Sequence, residues 1–129
     1  MAETIMAKGG LSGLLYRRLI GAAKNSARGL RQAVLTEEAF QLYVLLSLIL
    51  VPLAFVIAVD YLQLILLLGT VFLVLIVELL NTAIEAVVDR VSLDFHALSA
   101  RAKDIGSAAV SLSILLFFVV WAIVVVENL

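Results

Sequence analysis

Four polar residues interrupt a long aliphatic stretch of this chain: Glu78, Asn81, Glu85 and Asp89, at i, i+3, i+7 and i+11. At about 100° per residue they fall on one narrow face of a helix. Carboxylates in such a stripe do one of two things well. They bind a hard divalent cation, or they take a proton from a hydroxyl. A second cluster follows in Arg101–Ala102–Lys103–Asp104–Ile105–Gly106–Ser107. There a lysine can meet phosphate, an acid can meet Mg²⁺ or a partner cation, and a helix N-terminus adds unpaired N–H groups for anions. Ser107 lies one turn beyond Lys103, and Trp121 five turns along the same face.

Simpler roles stay open for several of these residues. Asn81 fits an interhelical hydrogen-bond anchor, and Asp89 with Arg90 fits an ordinary helix boundary. Ser107 fits a small residue that lets helices approach, and Trp121 an interfacial anchor. Glu78 and Glu85 resist such readings. An ionised acid at mid-membrane opposes insertion by ~2.5–3.5 kcal/mol, and packing alone rarely needs two in one span. They must face protein, metal or a wet cleft.

The elements that carry these groups are membrane helices. Of 129 residues, 64% are hydrophobic and 15% charged, with a mean hydropathy of +1.19. A water-soluble domain of this size cannot bury that much apolar surface. Three apolar runs, 41–59, 62–88 and 106–126, each meet the ~20 residues needed to cross a bilayer. Pro52, in the first, is tolerated in a membrane helix. No cleaved leader is expected, because many charged residues precede the first long apolar run. A fourth helix is expected over 14–35, with frayed residues around Gly10 and Gly13 before it. Its Arg17, Lys24, Arg28 and Arg31 fall within about 60° of one another, opposite Leu15, Leu19, Ala22, Leu30 and Ala33. That pattern describes an amphipathic helix in the membrane interface, or a basic surface helix that only anchors the chain.

Charge segregation sets the topology. Lys8, Arg17, Arg18, Lys24, Arg28 and Arg31 precede the first span, and Arg90, Arg101 and Lys103 lie between the second and third. The first loop and the tail Glu127–Asn128–Leu129 carry no cation. The positive-inside rule puts the N-terminus in the cytoplasm and the C-terminus outside. The acidic stripe then lies in the cytoplasmic half of the second span, within reach of solutes and lipid headgroups.

Carboxylates, an amide, a lysine and a basic helix at one interface suit a metal–nucleotide complex. Mg²⁺ needs only one or two protein carboxylates, and Glu85 and Glu37 are suitable by type. A deeper carboxylate can take the proton of a lipid hydroxyl. There is no cysteine, which excludes thiolate catalysis and Cys-ligated metals. Gly9–Gly10–Leu11–Ser12–Gly13 matches neither a P-loop nor a protein-kinase glycine loop.

The run Glu78–Arg90 (ELLNTAIEAVVDR), then Asp94–Phe95–His96 and Arg101–Val110 (RAKDIGSAAV), resembles the signature of the bacterial membrane diacylglycerol kinases. The order of a surface helix and three spans is similar too, so the resemblance covers nearly the whole chain. It implies an all-α homotrimer of the bacterial inner membrane, with a periplasmic C-terminus and active sites shared between subunits. The implied reaction moves the γ-phosphoryl group of Mg²⁺–ATP onto diacylglycerol to give phosphatidic acid. By position, the resemblance makes Glu78 the catalytic base and Glu37 with Glu85 the metal pair. It assigns Arg18, Asn25, Asp94, Phe95, His96, Lys103 and Asp104 to the nucleotide. It sets Arg18, Arg31, Ser107 and Trp121 on the substrate side, with Asn81 and Asp89 in support. The family often has tyrosine where this chain has Asn25, and an acid where it has Tyr43. It also carries surface-helix aromatics that are absent around Ala27 and Val34. An undecaprenol kinase of the same architecture is the nearer rival. A small oligomeric ion conductor lined by Glu78 and Glu85 is the rival of another class. No nucleic-acid partner is expected.

Overall fold

A computed structural model describes residues 10–129. Among them are four helices: α1 (Gly10–Thr36), α2 (Glu38–Ile57), α3 (Tyr61–Val91) and α4 (Ala97–Glu127). The chain divides between Thr36 and Glu37 into two units.

The first unit is α1. It begins at Gly10, which takes a φ of +62°, a backbone conformation open to glycine at little cost. The helix therefore starts four residues before the 14–35 span expected from the pattern, and Gly13 lies within it rather than in a frayed lead. A glycine inside a helix costs only about 1 kcal/mol, which neighbouring turns absorb. Arg17, Lys24, Arg28 and Arg31 are exposed, as are Leu15, Leu19 and Leu30 on the other side.

The second unit is a three-helix bundle with α3 at its centre, packed along α4 and against α2. All three helices are long and apolar enough to cross a membrane. Ala54, Leu67, Val71, Trp121 and Val124 form the buried core. A polar knot closes the bundle at that end. Asp60 caps α3 by accepting from the Gln63 amide at 2.8 Å. The Gln63 side chain accepts from Val59 N at 3.0 Å and from Asn128 Nδ2 at 2.9 Å. It donates in turn to Asn128 Oδ1 at 3.1 Å, and Asn128 Nδ2 reaches the Ile57 carbonyl at 2.9 Å. Both side-chain amides of this knot thus find partners.

The two later helices outrun their apolar segments. At 1.5 Å per residue, 31 residues measure about 46 Å, against a hydrocarbon core of about 30 Å. The polar ends Val88–Val91 and Ala97–Ile105 remain helical because nothing in them breaks the pattern. Counted from Tyr61, Glu78 lies about 26 Å along α3 and Glu85 about 36 Å. Glu78 thus follows the most apolar part of α3, and Glu85 lies about two turns nearer the polar end.

Candidate functional site

The stripe on α3 grades from buried to exposed. Glu78 is 6% exposed and Asn81 9%, Glu85 is half-buried, and Asp89 stands in the open. The ordering follows from the overhang: each turn toward Val91 leaves the packed bundle a little further behind.

Asn81 ties the stripe together. Its Nδ2 donates to Glu85 Oε1 at 3.1 Å, one turn away. Its Oδ1 is buried and has no hydrogen-bond partner among the described residues. That oxygen rests against Gly106 of α4, where a Cβ would collide with it. Gly106 is itself buried. Gly106 leaves room for the Asn81 amide, and the Glu85 carboxylate, an acceptor only, draws its donor end. The small-residue role left open for Ser107 belongs to Gly106; Ser107 is exposed, and its carbonyl accepts from Ser111 Oγ at 3.1 Å.

Three carboxylates converge electrostatically, since Glu78 senses the charges of both Glu85 and Glu37, the residue that precedes α2. Tyr43 of α2 senses Glu78 as well. From α4, Lys103 crosses to Asp89 at 2.6 Å and also senses Glu85. Glu37, Glu78, Glu85, Asp89 and Lys103 thus share one end of the bundle. Among the described residues no three His, Cys, Asp or Glu side chains close into a metal cage. Oxygen donors on Glu37 and Glu85 fit a hard cation that keeps most of its waters or takes phosphate oxygens.

The connection after α3 forms a shallow pocket of about 270 Å³ lined by Asp89, Asp94, Phe95, His96, Ser99 and Lys103 among others. His96 caps α4, its Nδ1 accepting from the Leu98 amide at 3.2 Å. The Asp94 amide donates to Ser92 Oγ at 3.0 Å. Phe95 is largely exposed at the pocket wall. Asp104 is exposed on α4.

Within the bundle, Trp121 lies apart from this cluster. Trp121 is buried in the core, its indole N–H donating to Thr70 Oγ1 at 3.2 Å and its ring tilted against Phe117. Thr70 precedes Glu78 by eight residues, about 12 Å along α3, so Trp121 is not brought to the stripe. Arg18, Asn25 and Arg31 belong to the α1 unit, where Arg28 donates to Asn25 Oδ1. Sequence reasoning gave no role to Gly106, although a lone glycine between Asp104 and Ser107 in a helical run was a usable signal. The Gln63–Asn128 knot left no comparable trace, because its two halves are 65 residues apart.

This all-helical bundle of membrane-spanning helices thus gathers a buried carboxylate, a carboxylate hydrogen-bonded to an amide, and a lysine–carboxylate ion pair. The sequence profile of the prokaryotic diacylglycerol kinases matches residues 24–125, and the chain belongs to that family. The diacylglycerol kinase of Escherichia coli strain K12 is 46% identical over 108 residues, covering 84% of this chain and 88% of its own. That of Pseudomonas aeruginosa is 45% identical over 106 residues, covering 82% and 86%. That of Helicobacter pylori strain 26695 is 38% identical over 106 residues, covering 82% and 83%.

Proposed function

We propose that this chain is a lipid kinase that transfers the γ-phosphoryl group of Mg²⁺–ATP to the free hydroxyl of diacylglycerol, giving phosphatidic acid and ADP. The observation that carries this reading is the position of Glu78. A buried carboxylate on a helix long and apolar enough to cross a membrane, on the same face as more exposed acids, one of them paired with a lysine, suits an acceptor dissolved in lipid and a donor dissolved in water.

In this reading Glu78 accepts the proton of the lipid hydroxyl as its oxygen bonds to the γ-phosphorus and the bond to ADP breaks. Asn81 keeps Glu85 oriented through the 3.1 Å hydrogen bond. Glu37 and Glu85 hold Mg²⁺, which supplies positive charge against the triphosphate. Lys103 exchanges Asp89 for phosphate oxygens, and Asp104 with the Asp94–Phe95–His96 connection serves the nucleotide. From the resemblance, Arg18 and Asn25 also serve the nucleotide, and Arg18, Arg31, Ser107 and Trp121 the lipid. Positioning and charge neutralisation supply most of the rate, since the protein forms no covalent intermediate.

The same reading sets the chain in the bacterial inner membrane, N-terminus in the cytoplasm and C-terminus in the periplasm, following its cations. It makes the active species a homotrimer with shared sites.

The test is a phosphoryl-transfer assay with radiolabelled ATP, offering diacylglycerol and undecaprenol side by side in nanodiscs. Label in phosphatidic acid is the expected result. Label in undecaprenyl phosphate alone transfers the proposal to the polyprenol acceptor, and ion flux without ATP consumption overturns it.

A further inference from the structure

Between α2, α3 and α4 lies a cavity of about 240 Å³ whose walls are Leu, Ile, Val and Phe side chains, with one exception, Tyr43. Val74 and Leu75 in that wall belong to the turn of α3 immediately before Glu78, so this part of the wall lies one helical turn from the buried carboxylate. Leu50 and Val71 line it deeper, toward the core. Tyr43 thus shares the apolar wall with the turn that leads to Glu78.

The phenol and the carboxylate do not bond to each other, and among the described residues the Tyr43 hydroxyl makes no hydrogen bond. The half-buried Tyr43 carries a hydroxyl that can donate to a ligand in the cavity. The wall therefore offers a donor at Tyr43 and a hydrocarbon slot, with an acceptor at Glu78 one helical turn beyond Val74 and Leu75. The complementary ligand carries a hydroxyl, an acceptor a few bonds away and an alkyl chain. Diacylglycerol has all three, since an ester carbonyl neighbours its free hydroxyl; a polyprenol or simple fatty alcohol lacks the carbonyl.

We propose that Tyr43 is a specificity-determining contact for the lipid acceptor, its hydroxyl donating to an ester carbonyl oxygen of the diacylglycerol whose free hydroxyl lies at Glu78. This rests on the lipid-kinase reading above. It gives Tyr43 a part that an acid at the same position cannot play when ionised, because a carboxylate is an acceptor only.

The experiment compares dioleoylglycerol with its diether counterpart, dioleylglycerol, which keeps the hydroxyl and the chains but has no carbonyl. Both are presented to the full chain in nanodiscs. The unsubstituted protein is expected to favour the ester by about three- to tenfold in kcat/KM, the size of one neutral hydrogen bond. Tyr43→Phe should lose that preference by slowing on the ester alone, with the KM for ATP unchanged. An ester-to-ether ratio that is the same in the variant, or absent from the unsubstituted protein, overturns the Tyr43 contact while leaving the kinase reading intact. A protein that phosphorylates neither lipid overturns both.

Discussion

The side-chain oxygen of Asn81 lies against Gly106 of the neighbouring helix, at a point where any Cβ would collide with it. The glycine thereby leaves room on α4 for the amide whose Nδ2 donates to Glu85 on α3.

Gly106→Ala is expected to swing the Asn81 amide away from Glu85 rather than unfold the bundle, because the obstructing atom is the end of a side chain. Overpacking of this kind costs about 1–3 kcal/mol. Activity should fall about tenfold or more through loss of the Asn81–Glu85 hydrogen bond. A double-mutant cycle checks the route: in an Asn81→Ala background, Gly106→Ala should cost little further activity. Additive losses would mean that Gly106 acts by another path.

The Lys103–Asp89 pair spans α3 and α4 at 2.6 Å, yet the two side chains are 40% and 46% exposed. Exposed pairs contribute about 0–1 kcal/mol to stability. Asp89→Asn should therefore barely change resistance to denaturing detergent. Lys103→Ala should raise the KM for ATP about tenfold or more, the scale of a charged hydrogen bond to phosphate. Steady-state kinetics at varied ATP, beside detergent-denaturation curves, separates the two effects.

Trp121 and Thr70 supply a stability prediction. Thr70→Val leaves the indole N–H unpaired in the core, and buried polar pairs in membrane bundles are worth about 0.6 kcal/mol on average, up to about 1.7. Trp121→Ala should cost about 3–5 kcal/mol, since it empties the centre of the core. Unfolding in mixed micelles reads both. A Trp121→Ala protein of unchanged stability would contradict the packing described.

Much of this architecture is legible in the chain before any coordinates. Hydropathy gives the three spanning helices, and the 3–4 residue spacing of Glu78, Asn81, Glu85 and Asp89 gives the stripe, because both are local properties of one helix. Helix ends were legible only to within several residues. Gly10 and Gly13 read as breakers although α1 includes them, and the polar ends of α3 and α4 continue as helix past the apolar runs. Pairings between helices were not legible. That Lys103 meets Asp89, that Gly106 receives Asn81 and that Trp121 bonds to Thr70 depend on the rotation of each helix, which periodicity fixes only to a face. Tyr43 stood out in the sequence only as a departure from the family, and the cavity wall beside Glu78 gives it a setting.

The most direct test of the central claim is phosphatidate formation by Glu78→Ala in nanodiscs, measured beside its oligomeric state and detergent stability. Removal of the proposed base should abolish turnover, by about a hundredfold or more as for the loss of a general base, in a protein that still assembles. Near-normal turnover in a folded Glu78→Ala protein would contradict the account.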